Sequence, residues 1–331
     1  MIFKKQSIGF FMAILLMAVF SLSGCALSEY LSHLNTTPTF IPTPNLPTAT
    51  LPDPTKPIFM PTLSATATST DLPVSTATAT NTPTTAPTAT LPVCAETAGT
   101  VQQYQVPSPS LGIALPTTVY LPPCYDPRGY YPVLYLLHGQ GQDDRYWIDL
   151  GAVQIVDAAM NTGMNPFIMV FPYEERNFDD NSTSKFPDAI LYDLIPWVET
   201  NFAVCPERSC RAIGGISRGG GWAIKLVLRH FDLFGTLGAH SFGLMPGDTY
   251  FIEKNLQDHS MEDFPRIYLD RGDQDILAHD IDLFVKNLRD FQVPHIFKIY
   301  PGDHTRSYWA AHIQEYMEFY MAAWADSSAQ P

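Results

Sequence analysis

One α/β domain with a mostly parallel central sheet and helices on both faces is what the 331-residue sequence predicts. Two observations carry the prediction. From about Val93 onward, short apolar runs alternate with longer amphipathic ones, the pattern of strands covered by helices. Ahead of that, among the 57 residues from Thr36 to Pro92, 12 are proline and 19 are threonine, and only Asp53, Lys56 and Asp71 are charged. A stretch with no apolar period cannot offset its ordering entropy, so it is expected to stay extended and disordered. The globular part is then residues 93–326, roughly 230 residues and enough for one substantial core, with a disordered tail at 327–331.

The elements follow in chain order. Lys4 and Lys5 precede an apolar run from Ile8 to Phe20, which ends in Leu22-Ser23-Gly24-Cys25. That is a targeting segment, and its end resembles the lipobox of bacterial lipoproteins. The resemblance implies a signal peptide over 1–24, a lipid on the Cys25 thiol and an extracytoplasmic, membrane-anchored protein, with an ordinary secreted form as the alternative. Residues 25–92 then form a Thr/Pro-rich tether, semi-rigid and extended in character. Strands are predicted at Thr117–Leu121, Val133–Leu137, Phe167–Phe171, Arg211–Ile216, Gly235–His240, Arg266–Asp270 and His295–Tyr300. The clearest helices are Asp188–Phe202, Gly219–His230, Ile281–Phe291 and Arg306–Ala323.

Charge and cysteine usage narrow the function class. The chain carries 33 Asp plus Glu against 19 Lys plus Arg and has no basic stripe, which argues against a nucleic-acid partner. With Cys25 set aside, Cys94, Cys124, Cys205 and Cys210 remain. An even count in an exported chain suggests disulfides. Three pairings are open in principle. Cys205–Cys210, closing a short loop, and Cys94–Cys124, bracketing the first strands, are favoured. No cysteine spacing fits a metal site, and no cofactor is expected.

The strongest chemical signal is Gly215-Ile216-Ser217-Arg218-Gly219, lying between a strand-like and a helix-like run. This is the setting of a nucleophile elbow, in which a serine sits on a tight strand-to-helix turn. Serine needs a base, and the base needs an orienting acid. Of the histidines after Ser217 (His230, His240, His259, His279, His295, His304 and His312), His304 follows a strand in Pro301-Gly302-Asp303-His304, where a turn presents it at the sheet edge. For the acid, Asp270, Asp273 and Asp275 are candidates. Asp275 is favoured because a turn at Gly272 aims it back toward the histidine. A calcium loop would need glycine where Asp275 stands, so that template fails. Oxyanion donors are expected from the backbone N–H of Arg218 and of Gln140, the latter in His138-Gly139-Gln140-Gly141, where His138 holds the loop. Tyr146, Trp147, Tyr173, Trp222 and Trp309 are candidates for lining a substrate pocket, the first three on loops after strands.

These segments resemble a known family. Thr118-Val119-Tyr120-Leu121-Pro122-Pro123, Tyr131-Pro132 through His138-Gly139, Leu194-Ile195-Pro196-Trp197, the elbow, Phe231-Asp232-Leu233-Phe234-Gly235, Gly272 to Asp275, and Gly302 to His304 with Trp309 look like the "Putative esterase" family of α/β-hydrolases. It includes feruloyl, acetylxylan and enterochelin esterases and the antigen 85 mycolyltransferases. The resemblance covers essentially the whole globular part. It implies an α/β-hydrolase fold, a serine carboxylesterase acting through an acyl-enzyme, and an ester substrate such as a feruloyl or acetyl ester of a polysaccharide. Position by position it implies Ser217 as nucleophile, His304 as base, Asp275 as acid, and Gln140 and Arg218 as oxyanion donors. An acyltransferase with the same residues and a catalytically inactive tethered binding module are the competing functions. Arg218 stands where many relatives carry Met, which is expected to change the polarity of the acyl pocket, and Cys124 stands where they commonly have Gly.

Overall fold

The structure is a computed structural model that describes residues 95–325. The signal segment 1–24, Cys25, the tether 25–92, Cys94 and the tail 327–331 lie outside the described residues. Eight strands form one sheet: β1 (Thr100–Val106), β2 (Leu115–Leu121), β3 (Val133–Leu137), β4 (Ile168–Pro172), β5 (Arg211–Ile216), β6 (Thr236–His240), β7 (Arg266–Gly272) and β8 (Ile296–Tyr300). Their order across the sheet is β1-β2-β4-β3-β5-β6-β7-β8. β2 is antiparallel to both β1 and β4, and every pairing from β4 to β8 is parallel.

Both faces of the sheet are covered, which is why the central strands read as unbroken apolar runs. Along β3, Val133, Tyr135 and Leu137 enter one core, and Leu134 and Leu136 enter the other. The first core is shared with helices α5 (Arg218–Arg229), α6 (Asp248–Asp258) and α7 (Ala278–Asp290). The second core is closed by α1 (Tyr146–Asp149), α2 (Ala152–Met160) and α8 (Arg306–Met321). Between β4 and β5, α3 (Phe186–Ala189) and α4 (Ile195–Asn201) flank a π-helical segment at Ile190–Leu194. The sequence had suggested one uninterrupted helix there. Pro196 has no N–H to donate to the preceding turn, and the wider π turn accommodates the break.

β1 is absent from the sequence expectation for a physical reason. Its residues Thr100 to Gln105 are polar or partly exposed, with Val106 alone buried, as befits an edge strand. Likewise α6 buries only Ile252 among its apolar side chains, so no apolar stripe announces it. Cys205 and Cys210 are bridged, and Cys124 is also disulfide-bonded. No helix among the described residues is long and apolar enough to cross a membrane.

Candidate active site

Because β3 to β8 run the same way, their carboxyl ends meet along one edge of the sheet, where loops from separate strands converge. Ser217 stands there between β5 and α5 with φ +53°, a region a non-glycine residue seldom enters. The corner is possible only because its neighbours lack side chains. A Cβ on Gly215 would lie 2.2 Å from the Gly219 carbonyl carbon, and one on Gly219 would lie 2.4 Å from the Leu137 carbonyl oxygen. The turn is further held by the Ser217 N–H donating to the His240 carbonyl at 2.9 Å.

Ser217 Oγ lies 2.8 Å from His304 Nε2, and His304 Nδ1 lies 3.0 Å from Asp275 Oδ1. That carboxylate oxygen also accepts the Leu277 N–H at 2.8 Å. Burial alone would raise the Asp275 pKa, but hydrogen bonds from His304 and the Leu277 N–H outweigh it and hold the group below the usual carboxylate range. The ionised carboxylate accepts from Nδ1–H, which leaves Nε2 unprotonated and facing the serine hydroxyl.

The three aspartates raised by the sequence have three different partners. Asp270 is fully buried and bonds His240, Tyr308 and Tyr316. Asp273 accepts the Gly302 N–H at 3.0 Å and so ties the β7 and β8 loops together. Asp275 alone reaches His304.

The loop after β3 approaches the serine from the other side: a Cβ on Gly139 would sit 3.2 Å from Ser217 Cβ. Gly139 N–H is taken by Gln142 Oε1 and Gly141 N–H by Asn177 Oδ1, whereas the Gln140 N–H between them has no acceptor among the described residues. The Arg218 N–H, at the first position of α5, is likewise free of an intrahelical partner. His138 is buried, which keeps its imidazole below the ordinary range. Its Nδ1–H donates to Gly139 O at 2.7 Å and its Nε2 accepts the Glu174 N–H at 2.9 Å. It holds the loop, as the sequence suggested.

Two of the five candidate pocket aromatics are core residues and cannot line a substrate site. Trp147 is 1% exposed with its indole N–H on the Leu137 carbonyl, and Trp222 is fully buried with its indole N–H on Glu174. Sequence proximity to a motif does not tell which way a ring points. Trp309 and Tyr146 are also buried but lie by the site: the Trp309 ring is edge-on to His304 at 5.2 Å and to Tyr146 at 6.1 Å. Tyr173 packs beside His138 and lines a cavity of about 100 Å³ with Leu115, Pro116 and Phe186, whose lining includes neither Ser217 nor His304. The expected effect of Arg218 on an acyl pocket is also corrected. Its guanidinium is 9% exposed and bound to Glu174, so it presents no free charge to a ligand. Glu174 carries no signal in the sequence, because its ion pair with a residue 44 positions away leaves no local pattern.

Comparisons with known proteins agree with this geometry. The "Putative esterase" family profile matches residues 108–320. A xylanase/feruloyl esterase of Xylanibacter ruminicola is 35% identical over 169 residues, 47% of this chain and 23% of that protein. An esterase of Mycobacterium tuberculosis is 30% identical over 146 residues, 42% of this chain and 31% of its own length. The matches thus span less than a third of those relatives. Among solved structures, a ferulic acid esterase superposes with TM-score 0.62 at 24% identity, covering 69% of this chain and 99% of its own. An S-formylglutathione hydrolase of Staphylococcus aureus gives TM-score 0.56 at 21% identity, with 68% and 96% covered. At those identities the likeness speaks for the α/β-hydrolase fold, and with the profile spanning well over half of the sequence, the chain belongs to the "Putative esterase" family of α/β-hydrolases.

Proposed function

We propose that the protein is a serine carboxylesterase that works through an acyl-enzyme. The observation that carries this is the continuous contact from Asp275 through His304 to a serine hydroxyl on a strained corner, at 3.0 and 2.8 Å. As Ser217 Oγ attacks the ester carbonyl carbon, its proton passes to His304 Nε2, and the imidazolium that forms is stabilised by Asp275. The carbonyl oxygen becomes an oxyanion that accepts from the Gln140 and Arg218 N–H groups; losing one such donor typically costs ~100- to 1,000-fold in rate. His304 then gives its proton to the leaving alkoxide as the C–O bond breaks. Water attacks the acyl-enzyme with His304 again as base, releasing the acid and restoring the serine.

For the substrate, the names of two relatives, a xylanase/feruloyl esterase and a ferulic acid esterase, support a feruloyl ester, such as one carried on a polysaccharide. Two exposed apolar side chains fit an acyl group with apolar surface. Phe178, 75% exposed, reaches over Gly141 of the oxyanion loop, and Ile276, 80% exposed, adjoins Asp275. The lipobox-like end of the leader supports an extracytoplasmic enzyme held by a lipid on Cys25 and extended on its tether.

Ser217→Ala tests the reading. Hydrolysis of a p-nitrophenyl acyl ester is expected to fall by ~10⁴-fold or more with the thermal melt unchanged, and turnover at the wild-type rate would reject it. A panel of acetyl, feruloyl and longer acyl esters, run with and without an excess of sugar acceptor, then identifies the acyl group and separates release to water from transfer.

A further inference from the structure

The two backbone groups read above as oxyanion donors belong to distant parts of the chain, Gln140 after β3 and Arg218 after Ser217. To serve one oxygen, both N–H groups must reach it within about 2.7–3.1 Å; the pairing of Leu137 with Gly215 sets the spacing where the strands end, and the donors lie beyond it. One residue of the loop after β4 touches both. The Glu174 N–H donates to His138 Nε2 at 2.9 Å, and His138 Nδ1–H donates to Gly139 O at 2.7 Å, which sets the start of the Gln140 loop. The Glu174 carbonyl accepts from the Asn177 amide at 2.9 Å, and Asn177 Oδ1 accepts the Gly141 N–H at 2.8 Å, which sets its end. The Glu174 carboxylate grips the other segment: Oε2 accepts Arg218 Nε at 2.9 Å and Oε1 accepts Arg218 Nη2 at 2.7 Å.

This fork-to-fork pairing is directional in a way a lysine contact is not. It is completed by the Trp222 indole N–H on Oε2 at 2.9 Å and the Ser184 hydroxyl on Oε1 at 3.1 Å, while Arg218 Nη1 donates to the Asp179 carbonyl and to Asn181. Glu174 and Arg218 are 4% and 9% exposed. A buried pair of this kind is a weak source of net stability, because an apolar pair of similar size serves about as well. Its value lies in fixing geometry.

We propose that Glu174 is the positioning residue of the oxyanion hole: its main chain sets the Gln140 loop, its carboxylate sets Arg218, and the spacing between the two donors follows from both. The inference rests on the reading of Ser217 and its two donors given above.

The test uses the full chain on p-nitrophenyl acetate, with Glu174→Gln, Arg218→Met and the double variant, each checked by thermal melting. Glu174→Gln keeps the main-chain contacts and the shape but loses the charge. It is expected to lower kcat by about 10- to 100-fold, a loss on the scale of a weakened donor, with KM within about threefold. Phosphorylation of Ser217 by diethyl p-nitrophenyl phosphate, whose developing charge falls on the same donors, is expected to slow by a similar factor. The double variant is expected to be no slower than the slower single variant, since both act on one unit. A folded Glu174→Gln with kcat within twofold of wild type, or a double variant whose loss is the product of the single losses, overturns the proposal. Should Glu174→Gln fail to fold, the double variant, which leaves no unpaired buried charge, decides: low kcat in the folded protein supports the role, and wild-type kcat overturns it. Full activity in Ser217→Ala would instead sink the reading of the site, and this inference with it, whatever Glu174→Gln does.

Discussion

Two histidine–aspartate pairs lie at the carboxyl edge of the same sheet, and they differ in what closes them. His304 Nδ1 is 3.0 Å from Asp275 and its Nε2 faces the Ser217 hydroxyl at 2.8 Å; His240 Nδ1 is 2.7 Å from Asp270 and its Nε2 faces the Tyr320 hydroxyl at 3.0 Å. The arrangement of groups is the same in both. The second pair, however, is wholly buried, and the remaining Asp270 oxygen accepts from Tyr308 and Tyr316 at 2.7 Å each. Burial and then the adjacent Asp270 charge push the Tyr320 phenol well up, so it stays an O–H donor. That phenol is wedged where a Cβ on Gly214 would lie 1.7 Å away and one on Gly238 2.1 Å away. An imidazole, a carboxylate and a hydroxyl thus make a strut when the hydroxyl is sealed in. They make a candidate proton relay when the hydroxyl sits on a partly exposed, strained corner. The strut also serves the relay, since the His240 carbonyl receives the Ser217 N–H and Tyr308 and Tyr316 tie down the helix that follows His304.

Substitutions in the two pairs should therefore separate rate from stability. The largest effect is expected from Asp275→Asn, which disturbs the tautomer and orientation of His304: kcat falls by about 10⁴-fold with little change in urea unfolding. Acidification comes next. A neutral imidazole is needed as base, so kcat/KM is expected to fall as pH drops from neutrality toward the usual aspartate range while the melt holds. Asp275 does not supply an acid transition in that window. With its folded pKa held below the ordinary value, its contribution to stability is complete above the usual aspartate range, ~3.9. It is lost only as pH falls further, through the lower folded value. The smallest effect on rate is expected from Asp270→Asn, which leaves buried donors mismatched. Unfolding free energy falls by about 1–3 kcal/mol, with kcat per folded molecule within about tenfold of wild type. If Asp270→Asn stays fully stable yet loses as much rate as Asp275→Asn, the division between strut and relay is wrong.

Much of this was legible in the sequence wherever signal and structure are local. Apolar runs mark seven of the eight strands to within two residues; β2 to β7 are buried and need them, while the edge strand β8 carries an apolar run though mostly exposed. The polar edge strand β1 and the weakly amphipathic α6 escape, since little apolar surface on either is buried. Ser217 stands out because the elbow forces glycine at 215 and 219 by direct collision. The turn at Gly272 was reason enough to prefer Asp275 over its two neighbours, and the structure brings that residue to His304. Long-range contacts with no motif at either end left no trace. The Arg218 to Glu174 fork, the burial of Trp147 and Trp222, and the second histidine–aspartate pair all depend on side-chain direction in the packed fold, which spacing along the chain does not encode.

An acyl-enzyme is defined by the oxygen that takes up the acyl group. Stopping turnover of a slowly released feruloyl or acetyl ester with acid and measuring the intact mass and peptide masses tests that directly. One acyl group per chain, carried on Ser217 in the peptide that contains it and absent from Ser217→Ala, is the predicted result. Acyl label on another residue, or wild-type turnover in a Ser217→Ala protein with no label at all, would contradict it.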